Sequence, residues 1–389
     1  MTNLPPRARD LGIVIGEGRP GPHNAITDVR GVRVGHTTII EGDGPLVVGK
    51  GPIRTGVTVI VPHDGDIWTE PLFAGCHTLN GNGELTGLEW VREAGLLHSP
   101  IAITNTHSVG VVRDALVGHA VRTRPAGSAY WSLPVVGETW DGRLNDIAGQ
   151  HVRPEHLESA LETAAPGPVA EGGVGGGTGM VCHEFKGGIG TASRILPPGL
   201  GGWTVGVLVQ ANYGRRGLLR IDGVPVGRAI PVAEVPSPWE LTRRGIGFAE
   251  GPVAGPDREG SIIIVVATDA PLLPHQCARL AQRAGLGLAR SGGLGATSSG
   301  DLFIAFATGN RGMPAGETPP ETNGVLAVRA LADPALDPLF EATVEATEEA
   351  IANALVAAAT MTGRDGITAH RLPHDRLREV MAKYGRPPG

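Results

Sequence analysis

The sequence predicts a single domain of mixed α and β structure, with sheets covered by helices. Short β-branched runs recur between residues 31 and 308, and helical patterns are interleaved with them. Sixty glycines and 32 prolines against 4% aromatic residues describe tightly turned, closely packed backbone rather than a helical bundle. A length of 389 residues allows two or three domains. Strands nevertheless precede and follow the Pro/Gly-rich connection at 222–260, and neither side is self-contained. No internal period repeats.

The N-terminal region reads as β segments joined by glycine turns: GVRVGHTTII at 31–40, TGVTVIVP at 55–62 and PIAITNT at 100–106. Residues 108–123, SVGVVRDALVGHAVRT, follow the third strand with apolar side chains at helical spacing. SLPVVGETWDGRLNDI at 132–147 is a strand running into a polar loop. PEHLESALETA at 154–164 is a short helix with Pro154 in its first turn. A glycine-rich tract at 166–190 then leads to a strand at 203–214, WTVGVLVQANYG.

The connection at 222–260 is expected to be exposed, and a connection this long with little structure of its own is usually functional. After it come a strand at 261–267, a helix at 272–290 and a strand at 301–308. A long Ala/Glu-rich helix is expected near 338–361 on propensity, and a short helix closes the tail.

Composition excludes several classes of function. Hydrophobic and charged contents of 41% and 19% are those of a soluble globular protein. A net charge of −6 with no Lys/Arg run argues against a nucleic-acid partner. No stretch holds the roughly 18 apolar residues that would span a bilayer, so no membrane partner is expected. Cys76, Cys182 and Cys277 are odd in number and widely spaced, which argues against a disulfide framework. The first residues lack a signal-peptide pattern, and the expected location is cytoplasmic.

The chemistry starts at PDREGSIIIVVATD, residues 256–269, where Gly260-Ser261 separates a polar loop from an apolar run. A peptide bond before serine can be attacked by that serine's own hydroxyl, giving an ester that water opens. The reaction needs a strained, exposed bond, and glycine permits backbone geometry closed to other residues. Cleavage would leave an α-amine on the residue that carries the hydroxyl. Such an amine titrates near 8, roughly, and can take the hydroxyl proton at neutral pH. Nucleophile and base would then share one residue. The competing reading is a loop end meeting a strand start, since Gly-Ser pairs are common.

Other candidates are set by residue type. SGGLGATSSGDLFIAF at 291–306 places Ser298, Ser299 and Asp301 in a tight turn, able either to orient a nucleophile or simply to cap the turn. Asn212, at the end of a strand, is an oxyanion donor or an Asx-turn residue. Glu138 can hold a cationic substrate group, and the Trp140 indole can only donate. The glycines of 171–194 match no phosphate-loop pattern and suit a floor of close-approach backbone around a small substrate. His63, His77, His107 and His183 show no metal-binding spacing and read as structural. No metal or other cofactor is expected.

Seven segments together resemble one family: HTLNGNGELTGL (77–88), AITNTHSVG (102–110), ETWDGRLNDI (138–147), GTGMVCHEFKGGIGTASR (177–194), VQANYG (209–214), EGSIIIVVATD (259–269) and SSGDLFIAF (298–306). They resemble the self-processing aminopeptidases of the DmpA type, which include the L-aminopeptidase/D-amidase-esterase and the β-aminopeptidases. The resemblance runs in order from about residue 10 to residue 370. It implies a four-layer αββα sandwich, similar to N-terminal-nucleophile hydrolases but with its own connectivity. It also implies autocleavage into residues 1–260 and 261–389, which stay together in a homotetramer.

By the same resemblance Ser261 is the nucleophile, with Ser299 and Asp301 as supporting hydroxyl and carboxylate. Some relatives carry Glu where Asp301 stands. Asn212 becomes the oxyanion donor, and Glu138 binds the free amine of the substrate. The implied activity is cofactor-free removal of N-terminal residues from short peptides, amides or esters. One position departs: Trp140 stands where the aminopeptidases commonly have tyrosine, exchanging a hydroxyl that can relay a proton for an N–H located elsewhere. Two other readings stay open. A fold-related acyltransferase, like the ornithine acetyltransferases, would put threonine at the cleavage point, which Ser261 counts against. A non-enzymatic small-molecule-binding relative has only Trp140 in its favour.

Overall fold

The computed structural model describes residues 4–125, 127, 130–239, 260–314 and 323–386. In chain order its strands begin with β1 (Arg33–Glu41), β2 (Ile53–Val61), β3 (Leu72–Gly81), β4 (Leu96–Leu97), β5 (Ile101–Asn105) and β6 (Val135–Thr139). The short pair β7 (Val181–Cys182) and β8 (Phe185–Lys186) follows, then β9 (Gly188–Ile195), β10 (Thr204–Ala211), β11 (Ile262–Thr268) and β12 (Gly300–Ala307). The helices are α1 (Leu88–Ala94), α2 (Val109–Thr123), α3 (Pro154–Glu162), α4 (Val226–Ala229), α5 (Pro274–Arg290), α6 (Asp337–Val356) and α7 (His374–Lys383).

A four-stranded sheet, ordered β1-β2-β5-β6, faces a six-stranded sheet ordered β4-β3-β12-β11-β10-β9. Neighbours are antiparallel except β5 with β6 and β11 with β12. Every residue of β11 and β12 is buried. Strands covered on both faces read as continuous apolar runs, which is why these two are plain in the sequence.

Three apolar clusters define the layers. Between the sheets, Ile60, Ile101, Ile103 and Val135 meet Leu208, Ile263, Val265, Ile304 and Phe306. On the outer face of the first sheet, Val57, Val59, Ala102 and Val136 pack with Val112 and Leu116 of α2 and Leu157 and Ala160 of α3. On the outer face of the second, Val207, Ile262, Ile264 and Phe303 meet Leu280 and Ala284 of α5 and Ala346, Ala350 and Ile351 of α6. Successive residues of β11 thus serve opposite clusters, as the two-residue period of a strand requires. The result is helix, sheet, sheet, helix: the αββα arrangement.

Among the elements that the sequence analysis does not anticipate are β3, α1 and β9. Glycine hides the two strands. A Cβ on Gly190 of β9 would stand 1.9 Å from the Ala350 carbonyl oxygen of α6, and one on Gly75 of β3 would stand 2.3 Å from the Ala278 nitrogen of α5. These glycines let a helix lie close on a strand.

The expected exposed connection is corrected in its described part. Val224, Val226, Ile230 and Val235 are buried and join the outer cluster, and α4 lies among them. The Arg216 guanidinium donates to the Ile230 and Val235 carbonyls, which binds the segment to the body. Apolar residues a few positions apart outweigh the Pro/Gly content there. Residues 240–259 lie outside the described residues. Among the described residues, no helix is long and apolar enough to cross a membrane.

Candidate active site

Strand register assembles the site at one end of the sandwich. Ser261 precedes β11 directly, Asp301 pairs with Ile262 across the parallel β11–β12 ladder, and Ala211 pairs with Ile262 from the other side. Asn212, the next residue, donates its backbone N–H to the Ser261 carbonyl at 3.1 Å. Glu138 lies near the end of β6 in the facing sheet.

Ser261 is 6% exposed, and its Oγ accepts the Gly300 N–H at 3.0 Å. Ser299 Oγ lies 2.5 Å from the Gly260 carbonyl oxygen and 2.6 Å from Asp301 Oδ1. Ser299 has one hydroxyl hydrogen, so it donates to the carbonyl or to the carboxylate, one at a time. The expectation of an exposed bond is corrected on the serine side. An attack within one residue needs no access for an outside group, so burial does not oppose it. Space also dictates the glycine: a Cβ at 260 would stand 2.0 Å from the Asn212 backbone oxygen and 2.8 Å from its Nδ2.

The Asn212 side chain is held at both ends. Its Oδ1 accepts the Val181 N–H at 2.8 Å, and its Nδ2 donates to the Trp140 carbonyl at 3.0 Å. Trp140 therefore reaches this group through its backbone. Its ring leans on Gly142, where a Cβ would come within 2.6 Å of it. Among the described residues, the indole N–H donates to none of the other candidates.

Glu138 is 3% exposed. Its Oε1 accepts the Glu84 N–H at 2.9 Å, and its Oε2 accepts the Thr106 hydroxyl. Burial pushes its carboxyl above the ordinary range even though both donors pull the other way. Gly83 lies between it and Gly300, whose N–H bonds Ser261: a Cβ there would stand 3.0 Å from Glu138 Oε1 and 3.1 Å from Gly300 Cα. Serine, polarised carbonyl, carboxamide and carboxylate thus share one small region.

Sequence reasoning missed several supports. Asn80 donates to the Ala296 and Ser299 carbonyls, and Asn82 donates to the Ser298 carbonyl at 2.8 Å, so both brace the turn carrying Ser299. The repeated Asn-Gly of residues 80–83 was the available signal. Glu84, Val181 and Gly300 act through backbone N–H groups and leave no signal at all. At Gly176 and Gly177 the glycine tract does not form the expected substrate floor. Gly176 and Gly177 are buried between the sheets, where added Cβ atoms would meet the Ile103 carbonyl oxygen at 2.6 Å and the Ile189 nitrogen at 2.5 Å. Within the tract, Val181 reaches the site through its N–H on Asn212 Oδ1.

His63 bonds the Glu70 carbonyl and the Gly65 N–H, His183 bonds the Arg215 carbonyl, and His77 lies against Phe303. Among the described residues, no group of three or more His, Cys, Asp and Glu side chains could hold a metal ion.

A family model described as Peptidase family S58 matches residues 24–369. The β-peptidyl aminopeptidase BapA of Sphingosinicella microcystinivorans is 50% identical over 381 residues, spanning 98% of this chain and 93% of that protein. Among solved structures, a Burkholderia sp. β-aminopeptidase superposes with a TM-score of 0.87 at 55% identity, covering 98% of this chain and 99% of its own. The L-aminopeptidase D-Ala-esterase/amidase of Ochrobactrum anthropi, described as a new variant of the Ntn hydrolase fold, gives 0.85 at 43% identity, covering 98% and 99%.

Proposed function

Because the chain belongs to peptidase family S58, we propose that it is an aminopeptidase that cuts its own Gly260–Ser261 bond and then uses Ser261 as nucleophile. The observation that carries this reading is the Ser261 hydroxyl following a carbonyl that Ser299 Oγ approaches at 2.5 Å. In self-cleavage Ser261 Oγ attacks the Gly260 carbonyl carbon, the C–N bond breaks and an ester forms. Water then opens the ester, leaving the Gly260 carboxylate and a free α-amine on Ser261. A hydrogen bond from Ser299 to the carbonyl oxygen supports the charge that develops there.

In turnover the Ser261 α-amine takes the proton of its own hydroxyl, and the oxygen attacks the substrate carbonyl. The leaving amine departs with a proton, and water releases the acyl group. The Asn212 carboxamide would receive the developing oxyanion, and Glu138 would bind the substrate's free amino group. Asp301 would orient Ser299. The substrate class is a short peptide, amide or ester with a free amine. The names of the relatives make β-amino N-terminal residues the first to test.

The pieces would remain together, because β11 is paired with β10 of the first piece along its whole length. A homotetramer and a cytoplasmic setting belong to the same proposal. The unpaired Cys76, Cys182 and Cys277 suit a reducing compartment.

Intact mass of the purified protein tests it. Two chains, 1–260 and 261–389, are expected, and Ser261→Ala should give one folded, inactive chain. Cutting of that variant at the same bond would assign cleavage to an outside protease and sink the self-processing mechanism.

A further inference from the structure

Lys186 is wholly buried, and among the described residues no carboxylate pairs with it. Its Nζ lies 2.8 Å from the Gly187 carbonyl oxygen, 2.9 Å from that of Met180 and 3.3 Å from that of Gly177. An ammonium has three N–H groups, and here there are three carbonyls to accept them. Burial pushes this amine down to about 7, and burying such a group is costly unless its N–H groups are bonded, so a lysine is a poor choice for filling space alone. The question is what these three bonds hold in place.

The Met180–Val181 peptide has both of its polar ends in use. Its carbonyl accepts from Lys186 Nζ and from the Gly187 N–H, and its N–H donates to Asn212 Oδ1. A peptide unit is planar, so fixing the oxygen fixes the direction of the N–H. A backbone N–H can only donate, and it therefore selects the oxygen end of the Asn212 carboxamide. Nδ2 is left facing the Trp140 carbonyl and Gly260. A reversed carboxamide would present an acceptor to the developing negative charge.

The turn between β7 and β8 is built to a fixed shape. His183 and Glu184 adopt left-handed φ values of 48° and 63°, a region that few residues other than glycine visit. The Arg216 guanidinium donates to both of their carbonyls, at 3.1 and 2.9 Å. The His183 N–H donates to the Tyr213 carbonyl at 2.6 Å, tying the turn to the residue after Asn212.

We infer that Lys186 is a positioning residue for the peptidase reaction: through the Met180–Val181 peptide it sets the direction of the Asn212 carboxamide. This rests on Asn212 being the oxyanion donor. The test is a four-protein cycle of wild type, Lys186→Met, Asn212→Ala and the double variant. The rate kcat is taken per processed molecule, counted by intact mass, at a temperature where all are folded. Asn212→Ala should lower kcat by about 10²–10³-fold, the usual loss for an oxyanion donor. Lys186→Met should lower it by about tenfold or more with KM little changed, and should add less than about twofold once Asn212 is gone, as expected of residues acting as one unit. A merely structural lysine would reduce activity alike in both backgrounds.

Full activity in Asn212→Ala would overturn the reading of Asn212 itself. An impaired Asn212→Ala with an unaffected or independent Lys186→Met would overturn the role of Lys186 alone. Lys186→Gln, which keeps a donor without the charge, is the second variant and should fall between wild type and Lys186→Met. If neither lysine variant folds, Lys186 supports the fold as a whole and the inference fails.

Discussion

At Glu138, burial and the proposed capture of a substrate amine pull in opposite directions. Its surroundings disfavour the charge, and the Thr106 hydroxyl and Glu84 N–H only partly offset that. A cationic amine would complete the pairing. A charge-assisted contact is worth roughly 1.5–3 kcal/mol, so Glu138→Gln should lower kcat/KM for free-amine substrates about ten- to a hundredfold. Self-cleavage should survive, since the internal bond offers no amine. Because the carboxyl titrates above its ordinary range, the carboxylate is lost on acidification before an exposed glutamate would be. KM should therefore rise on the acid side, and Glu138→Gln should abolish that limb. Profiles with free and N-acetylated substrates check this; the wild-type preference persisting in Glu138→Gln would make the residue structural. Gly260 is constrained by space. The methyl of Gly260→Ala would meet the Asn212 backbone, and a shift of about 1 Å at reacting atoms can cost about a hundredfold. Intact mass against time should show processing slowed accordingly, and wild-type processing would refute the spatial account.

Among the elements, β9 and α6 depend on a glycine at their contact. Gly190 faces the α6 backbone, where an added methyl would overlap the Ala350 carbonyl. Forcing an extra carbon into a packed layer costs about 1–3 kcal/mol, so Gly190→Ala should lower Tm measurably by thermal melting. An unchanged Tm would show that the helix can ride outward freely. The same contact explains why β9 reads as loop: its glycines mark a crossing helix. In β11 the apolar run and the strand coincide, because both faces of that strand are covered.

For the whole molecule, a buried ion network joins the two pieces that cleavage would create. Arg194 of β9 bonds Glu345 and Glu349 of α6 at 2.8 Å each, and Arg9 bonds Glu349 at 2.7 Å. Both arginines precede the cut and both glutamates follow it. Glu349→Ala takes one of two carboxylates from the buried Arg194 and the carboxylate bonded to the part-buried Arg9, and should cost up to about 3–5 kcal/mol, read from denaturant unfolding. Burial alone would raise the Glu349 carboxyl, but Arg9 and Arg194 outweigh it and hold the group below its ordinary value. A depressed carboxyl stabilises the fold above its unfolded value and loses that contribution as pH falls through the folded one. Stability should therefore decline below about pH 4.5, near the unfolded glutamate value, with Glu349→Gln flatter there than wild type. Parallel curves would remove Glu349 from the acid response.

The mixed class, the order of the apolar strands and the residues that could carry chemistry are already present in the order of the amino acids. Ser261, Ser299, Asp301, Asn212 and Glu138 were legible because their side chains announce what they can do. Burial on both faces was legible in β11 and β12 because it is written in consecutive residues. The rest depends on how the chain folds. The groups bonded to those side chains include the N–H groups of Glu84, Val181 and Gly300, which every residue but proline possesses. Only the path of the chain determines where such a group points. Lys186 likewise carries no signal of its own in the sequence, because only the fold surrounds it with carbonyls.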